Sequence, residues 1–376
     1  MKFTVSSTGL LSHLQILNRV ISSKNTLPIL DNFLFKVEGN KLTITASDLD
    51  TTLISTVELI ENAENDGQIA VPSKELLNWL SVCPEQPITF TINDDNLSIK
   101  ITTAQNGNIT PMGKNGSEYP EIESAANSEN NLTISASTLL RSISYTIFAT
   151  GEDELRPVMN GIYFDIATDS LTVVASDAHK LVRFKINDVK SEKEASFILP
   201  KKPATLLKSI LPKENGDVTV NFDGKNAIFA LENFTMICRL VDGRYPKYND
   251  VIPKNNPNKA IVDRMTLINA LKRASVAANQ ASNLIKLQLN ENEIIVSAQD
   301  LDYSISAQET VPCQYQSEPM SIGFKSVYLI ELLSNIEQSE IVIELSDARR
   351  AGVILPLENA ENEELLMLLM PIMLND

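Results

Sequence analysis

Apolar residues three and four positions apart recur at three widely separated places in the chain. Leu10, Leu14, Leu17 and Ile21 form the first stripe, Leu139, Leu140, Ile143 and Ile147 the second, and Leu267, Leu271, Ala274 and Ala278 the third. Each spacing predicts a helix with one buried face. Downstream of each stripe the pattern switches to the two-residue alternation of a strand, at Leu42-Thr43-Ile44-Thr45, Leu171-Thr172-Val173-Val174 and Ile294-Ile295-Val296-Ser297. Every one of these strands runs into a related signature: Ala46-Ser47-Asp48-Leu49-Asp50, Ala175-Ser176-Asp177-Ala178-His179 and Ala298-Gln299-Asp300-Leu301-Asp302. The signatures lie 129 and then 123 positions apart in a chain of 376 residues. After each, a strand leads straight into a second amphipathic helix. Val71-Pro72-Ser73-Lys74 opens Glu75 to Val82, Leu199-Pro200-Lys201-Lys202 opens Pro203 to Leu211, and Gly323-Phe324-Lys325-Ser326 opens Val327 to Ile336.

Three landmarks in one order, three times over, mark a triplicated unit. Each unit reads helix, strands, helix, strands, with roughly eight short strands, an α+β arrangement in which two helices cover one face of antiparallel sheet. Small, polar and proline residues cluster from Ser124 to Asn131 and from Asn255 to Lys259, so the expected domains are residues 1–127, 128–254 and 255–376.

Charge alters this picture more than composition does. The chain carries 32 basic and 48 acidic side chains, a formal net charge of −16, with 43% hydrophobic residues. That sum argues against nucleic acid, where affinity comes mainly from basic groups displacing counterions from phosphates. The sum conceals a segregation. In the helical windows 10–24, 74–82, 138–150, 200–213, 264–280 and 325–337 the basic residues are Arg19, Lys24, Lys74, Arg141, Lys201, Lys202, Lys208, Lys213, Arg264, Lys272, Arg273 and Lys325, against Glu75, Glu331 and Glu337 alone. The helices therefore carry +9 and the rest of the chain −25. One basic helix face is ordinarily just a solvated face. Four windows without a carboxylate favour a shared surface turned toward a polyanion.

Several function classes drop out. No run approaches the roughly 20 apolar residues of a membrane-spanning helix, and the longest, Leu365 to Leu374, is broken by Pro371. The polar start Met1-Lys2-Phe3-Thr4-Val5-Ser6-Ser7 does not read as a secretory leader. Cys83, Cys238 and Cys313 are odd in number and far apart, which fits neither a disulfide framework nor a zinc site and makes a reducing cytoplasm the simplest compartment. His13 and His179 are the only histidines, so little material exists for imidazole catalysis or metal binding. Asp48 and Asp50, like Asp300 and Asp302, have the spacing that puts two carboxylates on one face of a strand, as a divalent cation or an acid/base pair requires. The middle copy reads Asp177 and His179, so only the first aspartate recurs, which favours a turn or cap at a strand end. With 13 glycines in the chain, neither a phosphate-cradling loop nor a dinucleotide fingerprint is present, and no cofactor or metal is expected.

Thr26-Leu27-Pro28-Ile29-Leu30, Asn160-Gly161, Ser176-Asp177-Ala178-His179-Lys180-Leu181, Leu240-Val241-Asp242-Gly243-Arg244-Tyr245-Pro246 and the ending Met370-Pro371-Ile372-Met373-Leu374, together with the threefold pattern, closely resemble the bacterial DNA polymerase sliding clamp family, the beta subunit of DNA polymerase III. The resemblance runs end to end in the same order. It implies three similar domains of the DNA-clamp fold per chain, and two chains closed head to tail into a ring with helices lining the hole and sheets outside. It implies a hold on duplex DNA that is topological and independent of base sequence, with Lys24, Arg141, Lys201, Lys202, Lys272 and Arg273 touching phosphates only, and no catalysis. The ring contact would join the first domain of one chain, at Asn108 to Met112 and so at Ile109, to the third domain of the other, at Val276 and Ala277.

The resemblance also implies a groove between the second and third domains, where the replicative polymerase, the clamp loader, other polymerases and repair proteins insert short peptides with leucine and aromatic anchors. Matched position by position, it comprises Met159, Ser176, Ala178, His179, Lys180, Leu181, Pro246, Val251, Tyr328, Arg349, Met370, Pro371, Ile372 and Met373. Methionine and proline make an adaptable apolar surface that several peptides can share, and His179 would line this groove rather than act in catalysis. Without the resemblance, Met367 to Leu374 reads as a terminal strand packed on a core. Some positions depart from the family. Ala178 and Lys180 stand where glycine and arginine are usual, Met373 stands where a basic residue is common, and Asn375-Asp376 extend the end. A second-domain loop that often carries DNA-touching aromatics reads Glu152-Asp153-Glu154-Leu155-Arg156-Pro157-Val158. The competing class, a nucleotide- or sugar-processing enzyme on a repeated α+β scaffold, requires carboxylates clustered near a nucleophile or cofactor loop, and the sequence offers none.

Overall fold

The computed structural model describes residues 1–22, 24–121 and 130–374. Each sequence repeat contributes two α-helices: α1 (Ser7–Leu17) and α2 (Ser73–Leu80), α3 (Ala136–Thr146) and α4 (Lys201–Ile210), α5 (Arg264–Ala274) and α6 (Ser326–Ser334). The first helix of each repeat leaves the end of a strand, and the last side chain of that strand turns back to cap it. Ser6 Oγ accepts from the Gly9 N–H at 3.0 Å, Ser135 Oγ from the Thr138 N–H at 3.1 Å and Asp263 Oδ1 from the Thr266 N–H at 2.7 Å. Each cap satisfies a donor that the first turn leaves free, and losing one costs about 1 kcal/mol.

The helices are shorter than the windows drawn from sequence. After α1 the chain tightens, with the Arg19 N–H on the Ile16 carbonyl and the Val20 N–H on the Leu17 carbonyl, so Arg19 and Lys24 lie beyond the helix end. α5 likewise passes into a 3-10 turn at Ser275–Ala277, and Lys325 precedes α6. The stripe residues Ile21, Ile147 and Ala278 therefore sit in the turns that follow their helices. Among the described residues no helix is long and apolar enough to cross a membrane.

The described residues pack as two compact units, Met1–Leu139 with Thr205–Leu240, and Leu140–Ala204 with Val241–Asp376. This cut passes through the middle repeat, and the expected boundary at 127/128 lies outside the described residues. The first unit contains a four-stranded sheet and a nine-stranded sheet, the second a twelve-stranded one. Strand pairing across repeat boundaries explains the cut. In the first unit Phe234–Arg239 of the middle repeat pairs antiparallel with Thr51–Glu58, Phe234 opposite Ser55 and Cys238 opposite Thr51. In the second, Lys180–Ile186 pairs antiparallel with Glu363–Leu369, Lys180 opposite Leu369 and Ile186 opposite Glu363. Joining repeats this way leaves fewer open strand edges.

Alternation along the strands buries one face. In the first unit the rings of Phe3 and Phe90 stack at 4.8 Å with Phe35 tilted against both. In the second, Val174, Leu181, Ile198, Tyr245, Tyr248, Ala351, Val353, Leu366 and Leu368 form one buried cluster. Each leucine-sized side chain in it contributes about 1.5–3 kcal/mol. The terminal-strand reading of the C-terminus holds through Leu369, which is 1% exposed, and ends at Met370, which is 44% exposed.

The repeated aspartate is a turn device. Asp48 Oδ1 accepts from the backbone N–H groups of Asp50 and Thr51, Asp177 Oδ1 from His179 and Lys180, and Asp300 Oδ1 from Asp302 and Tyr303. Each carboxylate spends its acceptors on the chain that follows it. Leu49 and Ala178, next in the turn, adopt φ of 80° and 74°. An L-residue held there costs roughly 1–2 kcal/mol, a cost that the glycine implied by the resemblance at the position of Ala178 would avoid.

Candidate functional site

The turn of Ser176–Leu181 forms one wall of a cavity of about 250 Å³ that lies wholly within the second unit. Its lining is Met159, Ser176, Ala178, Lys180, Leu181, Tyr245, Pro246, Lys247, Tyr248, Val251, Leu368 and Met370. The wall is braced from several sides. Ser176 Oγ accepts from the Ala178 N–H at 3.1 Å and donates to the Lys180 carbonyl at 2.8 Å. The Met370 N–H donates to the His179 carbonyl at 2.9 Å, which pins the C-terminal segment to the turn as the strand ends. At the base, the rings of Tyr163 and Tyr245 stack at 4.7 Å, and the Tyr248 hydroxyl donates to Asp165 Oδ2 at 2.7 Å. Burial pushes the phenols of Tyr245 and Tyr248 upward, so both stay protonated.

Lys180 is the most constrained charge here, at 5% exposure. Its ammonium lies 3.1 Å from Asp177 Oδ2, 2.8 Å from Glu331 Oε2 on α6 and 4.5 Å from the centre of the Tyr328 ring. Burial works against the charged form, but the hydrogen bonds and charges of Glu331 and Asp177 outweigh it and its pKa is raised. The rings of His179 and Tyr328 stack at 5.8 Å beside this cluster.

Of the residues matched to a peptide groove, eight line this cavity: Met159, Ser176, Ala178, Lys180, Leu181, Pro246, Val251 and Met370. Arg349 instead lines an adjoining cavity of about 570 Å³ that shares Val251 and Met370. The side chains of His179 and Tyr328 stack on each other outside this lining, with the Lys180 ammonium over the Tyr328 ring. Pro371, Ile372 and Met373 run away from the cavity, the Ile372 N–H donating to the Gly323 carbonyl at 2.8 Å. A Cβ on Gly323 would come within 2.7 Å of the Ile372 carbonyl oxygen, so only glycine lets that segment lie against the strand. Tyr245, Lys247, Tyr248 and Leu368 are not among the residues matched to the groove, although Tyr245 lies inside the motif Leu240 to Pro246 and Leu368 inside the terminal run Met367 to Leu374.

The basic residues expected to face DNA are less free than the sequence implies. Arg141 Nη2 lies 2.5 Å from Glu363 Oε2, and its guanidinium sits 5.7 Å from the Tyr145 ring centre. Arg273 is held by both oxygens of Glu309 at 3.0 and 2.7 Å, and Lys201 reaches Glu152 at 2.7 Å. Lys24, Lys202 and Lys272 are exposed. The net helical charge is thus partly balanced by carboxylates from strands and loops. Of the residues expected at a contact between chains, Ile109 lies in the two-residue strand Asn108–Ile109 and is half-buried. Val276 is 78% exposed, whereas Ala277 is 2% exposed and packs inside its own unit, because the 3-10 turn after α5 directs it inward. No cluster of three potential metal-ligating side chains exists among the described residues.

Solved structures place this architecture among the bacterial sliding clamps. The DNA polymerase III beta subunit of Thermotoga maritima matches with a TM-score of 0.90 at 27% identity, and the sliding clamp of Pseudomonas aeruginosa bound to griselimycin with 0.94 at 26%, each with 100% of both chains covered. The beta sliding clamps of Pseudomonas aeruginosa and Escherichia coli are 28% and 26% identical over 376 residues, again covering both chains entirely. Residues 1–123, 133–247 and 249–373 match, in order, the N-terminal, central and C-terminal domains of the DNA polymerase III beta subunit. The chain belongs to the DNA polymerase III beta subunit family.

Proposed function

We propose that the chain is a DNA sliding clamp of the bacterial cytoplasm. It encircles duplex DNA and tethers the replicative polymerase and other replication and repair proteins, conferring processivity without catalysis of its own. The observation that carries this reading is the ordered match of all three repeats to the three clamp domains. In this reading residues 1–127, 128–254 and 255–376 are the domains, and two chains close head to tail through Ile109 of one and Val276, with Ala277 packed behind it, of the other. Lys24, Arg141, Lys201, Lys202, Lys272 and Arg273 meet phosphates without reading bases, and those already paired exchange a carboxylate for a phosphate. The clamp loader and the polymerases insert short apolar peptides into the cavity walled by Ser176–Leu181 and Met370. Two apolar anchors worth about 1.5–3 kcal/mol each contribute about 3–6 kcal/mol, short of the roughly 8 kcal/mol of micromolar binding, so backbone hydrogen bonds and flanking contacts supply the rest. Such binding is weak enough for partners to exchange.

The test is topological. Loaded onto a nicked circular plasmid by a clamp loader, the protein should co-migrate with DNA through gel filtration and be released when the plasmid is linearised. Equal retention on both forms would refute encirclement.

A further inference from the structure

Beside the apolar cavity lies the second one, of about 570 Å³, with a different chemistry. Its walls come from Asp250–Asn255 and Arg349–Ala351, and it carries the cations Lys254, Arg349 and Arg350 against the single carboxylate of Asp250. All four side chains are exposed. Arg350 is loosely held by Asp347, with 3.3 Å from Nε to Oδ2, whereas among the described residues no carboxylate lies within ion-pair distance of Lys254 or Arg349. The Asp347 carboxylate instead accepts the backbone N–H groups of Arg349 and Arg350, which fixes the turn that presents both guanidiniums. In a chain of net charge −16, three cations against Asp250 and Asp347 beside an apolar cavity are a local reversal of sign. Val251 and Met370 line both cavities, so a segment seated in one runs directly into the other.

We infer that this second cavity is an anionic subsite that selects partner peptides carrying an aspartate or glutamate next to their apolar anchors. The inference rests on the peptide-pocket reading above and adds to it the charge of the partner. An arginine fork accepts a carboxylate in two parallel hydrogen bonds, and Lys254 supplies a point charge on the other wall. Lys180 does not share this task, because Asp177 and Glu331 already neutralise it. The apolar cavity then provides most of the affinity and the basic one the choice among partners, since exposed charge pairs tune selectivity and association rate more than they add binding energy.

The experiment uses two fluorescent peptides with identical leucine and aromatic anchors, one flanked by aspartate and the other by asparagine, titrated against the intact protein by fluorescence polarisation. Each exposed pair contributes a factor of about 1.4 to 5. The acidic peptide should therefore bind about three- to tenfold more tightly at 50 mM salt, and the advantage should fade as screening shortens toward about 3 Å at 1 M. The triple variant K254Q/R349Q/R350Q should bring the ratio of the two affinities close to one. Equal affinities for the unaltered protein, or a ratio that survives in the triple variant, would overturn the subsite. If neither peptide binds, the peptide pocket itself falls, and the subsite with it. If the triple variant loses affinity for duplex DNA while keeping the peptide ratio, these cations serve phosphates and the inference is wrong.

Discussion

Replacing Lys180 by methionine keeps the aliphatic stem in the pocket wall and removes the ammonium. The structure sets the size of the effect. At 2.8 and 3.1 Å from Glu331 and Asp177, and an effective dielectric of about 20, each attraction is worth roughly 5–6 kcal/mol before desolvation is subtracted. Removing one member of a buried ion pair typically costs about 3–5 kcal/mol, because the remaining charge is stranded. Both carboxylates here have an escape. Asp177 retains the backbone N–H groups of His179 and Lys180, and the Glu331 side chain is 39% exposed, so water replaces its partner. The expected loss is therefore about 2 kcal/mol, below the range for a fully buried pair. Glu331→Gln, which leaves Lys180 its bond to Asp177, should cost about 1 kcal/mol or less. The sign with pH is also determined. The folded pKa of Lys180 lies above its unfolded value, so its contribution is complete below about 10.5 and is lost as pH rises through the folded value. Urea unfolding at pH 7 and at pH 9 should give the same difference between the Lys180→Met variant and the parent protein. A Lys180→Met loss under about 0.5 kcal/mol, or a Glu331→Gln loss as large as that of Lys180→Met, would refute the account of the triad as a partly solvated pair network.

Four further outcomes follow from particular contacts. His13 Nδ1 lies 2.5 Å from Ser55 Oγ, and burial lowers its pKa against a smaller opposing pull from Glu214. Stability should therefore fall as pH drops below about 6.5, with a slope that His13→Gln lacks, and equal slopes would refute it. Val276→Arg should yield monomers by light scattering without a change in circular dichroism, whereas Ala277→Asp should lower Tm because that position is inside the fold; a Val276→Arg dimer would move the interface elsewhere. Replacing Lys201 and Lys202 by alanine should weaken retention on all DNA sequences alike and flatten the salt dependence by about 0.9 per lost contact, while Glu152→Gln, which removes the ion pair to Lys201, should strengthen it. A chain ending before Met370 should lose binding of a polymerase tail peptide in fluorescence polarisation while still passing onto DNA, and undiminished binding would remove Met370 from the pocket.

What was legible in the sequence had a period or a short range. The stripes at Leu10, Leu139 and Leu267 predict α1, α3 and α5 because helix periodicity is local, and the strand after each is read from alternation for the same reason. Asp48, Asp177 and Asp300 were recognisable as turn residues because their hydrogen bonds reach only two or three positions ahead. The caps at Ser6, Ser135 and Asp263 are equally local, each reaching three positions ahead. The partners of the basic residues were not legible at all. Glu363 is 222 positions from Arg141 and Glu309 is 36 from Arg273, and only the tertiary structure brings them together. The helix windows therefore present less free positive charge than their residues sum to. The burial of Ala277 was not legible for a subtler reason: just past α5 the 3-10 turn changes the angular step, which turns Ala277 inward and its neighbour Val276 to the solvent.

The two joints between repeats explain how one pocket arises from a triplicated chain. At each joint a strand end donates to the residue two past the repeated aspartate. The Arg239 N–H donates to the Asp50 carbonyl at 2.8 Å in the first unit, and the Met370 N–H to the His179 carbonyl at 2.9 Å in the second. A buried tyrosine lies near each, Tyr119 packed with Leu30 and Ala70, and Tyr245 packed in the larger cluster with Leu181 and Leu368. The backbone is thus reused while the side chains diverge. In the first joint Asp50 and Arg239 form an exposed ion pair at 3.6 Å, a rim that water already satisfies and that offers an apolar peptide nothing to bury. In the second, Met370 replaces the arginine, Leu181 stands where the first joint has Thr52, and the charge of Lys180 is turned aside onto Asp177 and Glu331. Burying apolar surface yields binding energy only where no charge has to be desolvated with it. The triad that holds Lys180 is therefore what keeps the second joint receptive, and its removal should disturb the pocket as well as the fold.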